Sequence, residues 1–352
     1  MTPSYNKVHN RFKLNGIHFS FEDLKEVAYS FIKEGELFEQ EIGAFLSDWI
    51  DHNDFIMVKT SGSTGHPKMI KLQKQAMVNS AIATGDFFKL VPGNSALLCL
   101  PATYIAGKMM LVRAIVLGLE IESVEPTTNP VFNTEKQYDF CAMIPAQAEK
   151  AMQKLNTINT LIVGGAQVSS RLKQQFQKVK TNVYETYGMT ETITHIAVKQ
   201  INGRVTSYFT TLPNIVISQN TKECLVIDAP QLTVDQIITN DVVKLHSKTT
   251  FEWLGRVDNV INSGGVKLFP EQIEAKLQSK MACRFFINSE ADPIFGEVAI
   301  LIIEADNDTL NANVFSDLNA IETPKQVYAI SAFAETTSGK VNRTETLKSL
   351  KK

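Results

Sequence analysis

Residues 160–185 read TLIVGGAQVSSRLKQQFQKVKTNVYE, and they decide the fold class. Thr160–Val163 is a short apolar run of strand character. Gly164-Gly165-Ala166 ends it, a helix is predicted from Ser170 to about Val179, and Asn182–Glu185 reads as a second strand. A strand, a crossover helix and another strand form the unit from which parallel sheets are built. The alternation continues toward the N-terminus. Strands are predicted at Phe55–Val58, near Ile70, and at Ala96–Leu100, Leu119–Val124 and Cys141–Ile144. A helix burying Met77, Ala81, Thr84 and Phe88 and another at Met110–Leu117 lie between them. The predicted core is a mainly parallel sheet covered by helices.

Before Phe55, Ser20 with Asp23 caps a helix whose Phe21, Leu24, Ala28, Phe31 and Ile32 share one face. Gly35 ends it, and Phe38, Ile42, Phe45, Leu46 and Trp49 mark another. After about residue 200 short strands take over: Val205–Phe209, Ile215–Ser218, Cys224–Ile227 and Asp241–Leu245. They predict an antiparallel, barrel-like subdomain. A second change falls at Gly255-Arg256-Val257-Asp258. Beyond it come a hairpin around Ser263-Gly264-Gly265, a helix opened by Pro270 and a strand at Val298–Ile303. The expected fold is α/β, with a large N-terminal domain over 1–255, a hinge at 256–258 and a small mobile α+β domain over 259–352.

Composition narrows the function. The 352 residues are 44% hydrophobic and 20% charged, which is globular usage and enough chain to bury a core unaided by metal or disulfide. Lys plus Arg is 35 against 37 Asp plus Glu, so a nucleic-acid or polybasic membrane surface is not expected, while a local anion site stays open. Cys99, Cys141, Cys224 and Cys283 form no CxxC, so four buried reduced thiols are expected. The opening MTPSYNKVHNRFKLN has no apolar stretch, and no apolar run reaches about 18 residues. Neither a signal peptide nor membrane insertion is expected, and the expected compartment is the cytoplasm.

Four segments carry chemistry. Thr60-Ser61-Gly62-Ser63-Thr64-Gly65-His66-Pro67-Lys68 lies between two predicted strands. Its glycines let backbone N–H groups face an anion, and its hydroxyls and Lys68 add donors. The spacing is not that of the GxxxxGK[ST] phosphate loop, and no helix follows at once; a flexible turn is the plainer alternative. In Tyr184-Glu185-Thr186-Tyr187-Gly188-Met189-Thr190-Glu191-Thr192, Tyr187 beside Gly188 offers a flat face to a base. Thr190-Glu191 offers oxygen ligands to Mg²⁺, although a strand end with a satisfied acid reads the same way. Gly255–Gly265 joins the candidate domains, and Thr336-Thr337-Ser338-Gly339-Lys340-Val341-Asn342-Arg343 sets Lys340 on a glycine-bearing loop.

In this order the segments resemble the adenylate-forming superfamily of acyl- and aryl-CoA synthetases, peptide-synthetase adenylation domains and luciferases. The resemblance runs from about Phe55 to Arg343. Thr60–Lys68 matches its phosphate loop, Tyr187–Glu191 its Tyr-Gly-x-Thr-Glu motif, Gly255–Asp258 its Gly-Arg-x-Asp hinge and Gly339–Lys340 its C-terminal Gly-Lys. Within it, Tyr187–Thr192, Leu225–Leu232 and Asn262–Glu274 are most similar to the o-succinylbenzoate–CoA ligases of menaquinone biosynthesis. The phosphate loop begins early, at Thr60, so a shortened form is expected, with the two helices before Phe55 standing for the usual N-terminal subdomain.

The resemblance implies a two-step ligase using ATP, Mg²⁺ and CoA. A carboxylate attacks the α-phosphate to give an acyl-adenylate and pyrophosphate; the CoA thiol then displaces AMP. It implies that Thr60, Ser61, Gly62, Ser63, Thr64, Gly65 and Lys68 hold the β- and γ-phosphates. Tyr187, beside Gly188, stacks on adenine, Gly165 and Ala166 line the adenine pocket, and Asp241 and Arg256 bind the ribose. Thr190 touches the α-phosphate and Glu191 ligates Mg²⁺. Asp258 is the hinge, Lys340 acts in adenylation, and Gly264 and Gly265 line the CoA tunnel. Two positions depart from the family pattern. Asn240 precedes Asp241 where the family has glycine, and Ala334-Glu335 replaces a proline and a basic residue before Thr336.

The acyl pocket is assigned to Tyr104, Ile105, Ala106, Gly107, Lys108, Gly164, Met189 and His195. A second substrate carboxylate needs a cationic or hydrogen-bonding partner. Lys108 is the first candidate, with Arg113, His195 and Arg204 behind it. Another acyl- or aryl-CoA ligase, or an adenylating enzyme that loads a carrier-protein thiol, stays open. The oligomeric state is undetermined.

Overall fold

The computed structural model describes residues 3–59, 68–335 and 341–350. The 160–185 unit forms a strand at Ile158–Val163, a helix at Ser170–Phe176 and a strand at Asn182–Gly188. The helix is capped: the Leu172 N–H donates to Ser169 Oγ at 3.1 Å. The two strands pair in parallel, with Thr160 opposite Asn182. Tyr138–Met143, Ser95–Leu98 and Glu120–Ser123 extend the sheet, also in parallel. Taken in chain order, the five strands lie in the spatial order 2-1-3-4-5. That order has a switch point between the first and third strands, and open α/β sheets bind ligands at the carboxyl ends beside it. Those ends carry Leu100–Tyr104, Ile144, Gly164-Gly165 and Gly188.

Alternate residues of these strands feed two cores. Ala96, Leu98, Phe140, Ala142 and Ile162 point into one, which they share with Phe45, Trp49, Met77, Met110 and Ile115. The helices of that face are Asp23–Glu34, Leu37–Ile50, Lys74–Phe88 and Ile105–Leu117. Leu97, Cys99, Cys141, Met143, Leu161 and Val163 point into the other, with Ala148, Leu172 and Phe176 from helices Pro145–Lys150 and Ser170–Phe176. Burial on both faces explains the apolar runs Ala96–Leu98, Phe140–Met143 and Leu161–Val163 of the three central strands. At the N-terminus, the predicted Ser20–Asp23 cap forms reciprocally: the Ser20 N–H donates to Asp23 Oδ2 at 2.7 Å and the Asp23 N–H to Ser20 Oγ at 3.3 Å.

The helix expected at Met110–Leu117 begins earlier, at Ile105. Gly107 permits this. A Cβ there would stand 2.1 Å from the Pro101 carbonyl oxygen, so the first turn folds directly onto Leu100-Pro101.

Beyond Gly188 the sheet turns antiparallel without a break. His195–Gln200, Phe209–Thr211, Thr250–Arg256, Ile237–Leu245, Cys224–Asp228 and Val216–Gln219 follow in that spatial order. The strand expected at Val205–Phe209 is displaced to Phe209–Thr211, because Val205 and Tyr208 are exposed and ladder pairing begins at Phe209. His195–Gln200 and Thr250–Arg256 were not anticipated.

A separate sheet then forms from Ile261–Ser263, Val266–Leu268, Phe285–Asp292, Gly296–Glu304 and Gln326–Ile330, with helices Pro270–Leu277 and Arg343–Leu350. The Gly264-Gly265 turn joins its first two strands with φ of 55° and 84°, values that glycine adopts without steric cost. Of the four free cysteines, Cys99, Cys141 and Cys224 are buried, but Cys283 is only half-buried. Among the described residues no helix is long and apolar enough to cross a membrane.

Alanine is a better helix former than glycine, yet Gly107→Ala is expected to destabilise by about 1–3 kcal/mol through overpacking against backbone. A thermal melt should show a lower Tm; an unchanged Tm contradicts the close approach.

Candidate active site

The carboxyl ends of the parallel strands converge on glycines for steric reasons. Gly164 follows Val163, and a Cβ on it would lie 2.3 Å from Thr186 Oγ1 on the adjacent strand. That hydroxyl donates to the Val163 carbonyl at 3.2 Å, while the Gly164 N–H donates to Met143 O at 3.1 Å. Gly165 has φ of 81° and, with Ala166, is exposed. The Gly164–Ala166 segment is therefore held at the top of the sheet with its end open to solvent.

Tyr187 and Gly188 are the last residues of the neighbouring strand. Thr190–Thr192 makes a single tight turn, and the chain returns antiparallel with His195 opposite Gly188. A Cβ on Gly188 would sit 2.3 Å from Thr194 O, so no other residue fits. The buried Thr192 hydroxyl accepts the Met189 N–H at 3.0 Å, tying the turn together. Ile193 adopts φ 66°, ψ −59°, with the Thr194 N–H donating to Thr192 O at 2.8 Å. This is a γ-turn of the strained, positive-φ kind on a β-branched residue. The turn holds Thr190 and the exposed Glu191 at the strand ends. A single exposed carboxylate suits Mg²⁺, which takes one or two protein carboxylates and completes its shell with water and phosphate oxygens.

The Tyr187 hydroxyl donates to Asp241 Oδ2 at 2.6 Å. Burial, then the Asp241 charge, hold that phenol well above its ordinary pKa, so it stays a donor. Trp253 Nε1 donates to Asp241 Oδ1 at 3.1 Å, and Arg256 Nη1 lies 3.5 Å from the same oxygen. Phe209 and Phe251 pack against the Tyr187 ring with centroids at 5.8 and 5.2 Å. The structure thus brings Tyr187, Asp241 and Arg256 into one cluster beside the turn.

The residues expected on the acid side separate. Tyr104 is 55% exposed at the start of its helix, with Ala106 also exposed and Ile105 and Met189 half-buried. Lys108 is buried with its ammonium 5.0 Å above the Phe45 ring. Burial lowers its pKa, and Asp48 and Glu41 on the facing helix oppose that. It already has acids for neighbours. Arg204 is exposed. Arg113 differs: it is 1% exposed, with Nη2 3.5 Å from His195 Nδ1 and Nη1 3.7 Å from Met110 Sδ. Its Nε and the His195 Nε2 are both buried without a hydrogen-bond partner among the described residues. Burial alone pushes the Arg113 pKa down to about 9, and burial followed by the Arg113 charge holds His195 well below its usual range.

Thr60, Ser61, Gly62, Ser63, Thr64, Gly65 and Lys340 lie outside the described residues. The phosphate-loop candidate is nonetheless bracketed, because Lys59 pairs with Met69 across the antiparallel strands Phe55–Lys59 and Met69–Gln73, with Lys68 exposed at its exit. Asp258 accepts from Asn240 Nδ2 at 3.4 Å, so the asparagine that departs from the family pattern touches the hinge candidate. Gly264 and Gly265 lie on the second sheet, away from the strand ends just described.

The AMP-binding enzyme family matches residues 21–224, more than half of the chain. The chain belongs to the AMP-binding enzyme family. A solved acyl-CoA synthetase (AMP-forming)/AMP-acid ligase II-like protein from Dyadobacter fermentans is 33% identical, with 93% of this chain and 98% of that chain covered and a TM-score of 0.63. A probable 2-succinylbenzoate–CoA ligase of Mycobacterium tuberculosis is 25% identical, with 87% of each chain covered. O-succinylbenzoate coenzyme A synthetase from Bacillus subtilis, solved with ATP and magnesium ion, is 14% identical with a TM-score of 0.71 over 96% of this chain and 97% of that one. That last likeness carries the fold alone. As a member of the AMP-binding family, this protein is an ATP-binding, AMP-forming acid–thiol ligase.

Two features of this AMP-binding enzyme escaped the sequence. Trp253 carried no motif signal. Arg113 was a secondary candidate only, since the apolar run Met109–Leu119 signals a buried helix but not what its one charged side chain meets.

His195 gives a pH test. Its folded pKa is depressed, so its contribution to stability is fully present above the unfolded value of 6.5 and is lost as pH falls below it. Wild-type protein should lose up to about 1.4 kcal/mol per pH unit from this group between pH 6.5 and 5. His195→Gln should flatten that slope in urea unfolding; parallel slopes for the two proteins contradict the buried neutral imidazole.

Proposed function

We propose that this enzyme is an o-succinylbenzoate–CoA ligase, joining an aromatic dicarboxylic acid to CoA through an acyl-adenylate. The observation that carries the reading is Arg113. A fully buried guanidinium with no carboxylate beside it among the described residues is costly, and such a group suits a site where an anion arrives to pair with it. Its planar fork fits a carboxylate in two parallel hydrogen bonds, which a lysine does not offer. Arg113 with His195, rather than Lys108, is therefore assigned the second carboxylate. The names of the curated relatives support the choice of acid.

The reacting carboxylate lies at the strand ends, near Gly164, Gly165 and Met189. Its oxygen attacks the α-phosphorus of ATP, forming the acyl–phosphate bond as the bond to pyrophosphate breaks. Thr190 supplies a donor to the charge that develops on the α-phosphate, and Lys340 and Lys68 with Thr60–Gly65 offset the remaining phosphate charge. Mg²⁺ held by Glu191 would add to that neutralisation. Tyr187 presents its ring to adenine and Asp241 its carboxylate to the ribose. In the second step the thiolate of CoA, approaching past Gly264 and Gly265, attacks the carbonyl carbon and AMP leaves. The division into residues 1–255 and 259–352 about Asp258 supplies the change of partner between the steps.

Mass spectrometry of products from ATP, Mg²⁺, CoA and a panel of acids tests the reading. The expected products are o-succinylbenzoyl-CoA, AMP and pyrophosphate. Arg113→Met should raise KM for o-succinylbenzoate at least tenfold, about 1.4 kcal/mol, and leave KM for ATP within twofold. Equal effects on both substrates, or turnover of monocarboxylic acids alone, overturn it.

A further inference from the structure

The Asp241 carboxylate is held by a side-chain donor on each oxygen, and one of the two is Trp253. The strands Ile237–Leu245 and Thr250–Arg256 pair with Asp241 opposite Arg256 and Val242 opposite Gly255, but Val243 faces Trp253. One residue of the second strand is thus inserted as a bulge. A slip of one residue exchanges the faces of a strand, so Trp253 is turned to the side on which Arg256 already meets Asp241. The indole Nε1 then donates to Oδ1 at 3.1 Å, while the Tyr187 hydroxyl donates to Oδ2 at 2.6 Å. The Asp241 N–H is fixed as well, donating to Thr239 Oγ1 at 3.1 Å. Trp253 and Tyr187 pack on the same apolar cluster, so both donors have little freedom.

We propose that Trp253 is a positioning residue that sets the preference of this enzyme for a ribonucleotide over a deoxyribonucleotide. The inference rests on the reading that Asp241 accepts from the ribose. A carboxylate offers about four acceptor positions and no donor. Tyr187 and Trp253 take one on each oxygen and fix the rotation of the group, and the positions left over are aimed where a pair of sugar hydroxyls can donate. Indole N–H is donor-only and neutral, so it orients the carboxylate at any working pH and brings no charge to compete for it. Arg256, at 3.5 Å, leans toward Oδ1 without replacing that bond.

Binding of ATP and 2′,3′-dideoxy-ATP with Mg²⁺, measured by isothermal titration on the full chain, needs no knowledge of the acid. Trp253→Phe keeps the ring and removes the N–H. It should weaken ATP about tenfold, equivalent to about 1.4 kcal/mol, and 2′,3′-dideoxy-ATP less than twofold, so that the ratio of the two collapses. Trp253→Tyr, which keeps a donor at the ring edge, should retain part of the ratio. A ratio unchanged in Trp253→Phe, whatever happens to ATP affinity or Tm, overturns the proposal and leaves Trp253 a packing residue. Asp241→Asn separates the two readings. If it leaves the ratio at its wild-type value, the ribose reading of Asp241 itself fails.

Discussion

Between Gly188 and His195 the chain reverses through Met189–Thr194, and the arrangement of the site depends on that reversal. On one side of Asn182–Gly188 the sheet is parallel, on the other antiparallel. The turn admits no Cβ at position 188 and places Ile193 in a backbone region that costs about 1–3 kcal/mol. The Thr192 hydroxyl and the resumed ladder at His195 hold it there. Strain of this kind persists only where the surroundings over-determine it.

The turn links two groups of unlike chemistry. Tyr187, just before it, reaches Asp241 on the antiparallel side. His195, just after it, reaches Arg113 in the helix that starts from the first parallel strand. The first group is a hydrogen-bonded carboxylate suited to neutral sugar hydroxyls. The second is a buried cation suited to an anion. An enzyme that joins an acid to a nucleotide must hold both kinds of partner on either side of one reacting carboxylate. Thr190 and Glu191 stand on the turn between them.

Much of this was legible in the sequence wherever a local rule acts. The three central parallel strands announced themselves as apolar runs, the Ser20 cap by its spacing to Asp23, and the Gly264-Gly265 turn by its glycines. The motif from Tyr187 to Glu191 marked the turn. What stayed hidden depends on distant neighbours. Thr250–Arg256 is a strand because Asp241 and Phe209 flank it, although Glu252 interrupts its apolar character. Val205–Tyr208 has strand-like residues but no place in the described ladders. Lys108 and Arg113 look alike in sequence; only the packing of Phe45, Asp48 and Glu41 around one and of His195 beside the other separates them. Trp253 depends on a bulge, which no local pattern reveals.

The proposed function rests on attack by the acid at the α-phosphorus of ATP. An acid labelled with ¹⁸O in its reacting carboxylate tests it directly when the product nucleotide is weighed by mass spectrometry. Attack through the carboxylate predicts AMP carrying one ¹⁸O atom and unlabelled pyrophosphate. Unlabelled AMP, or ADP with the label in inorganic phosphate, would contradict it.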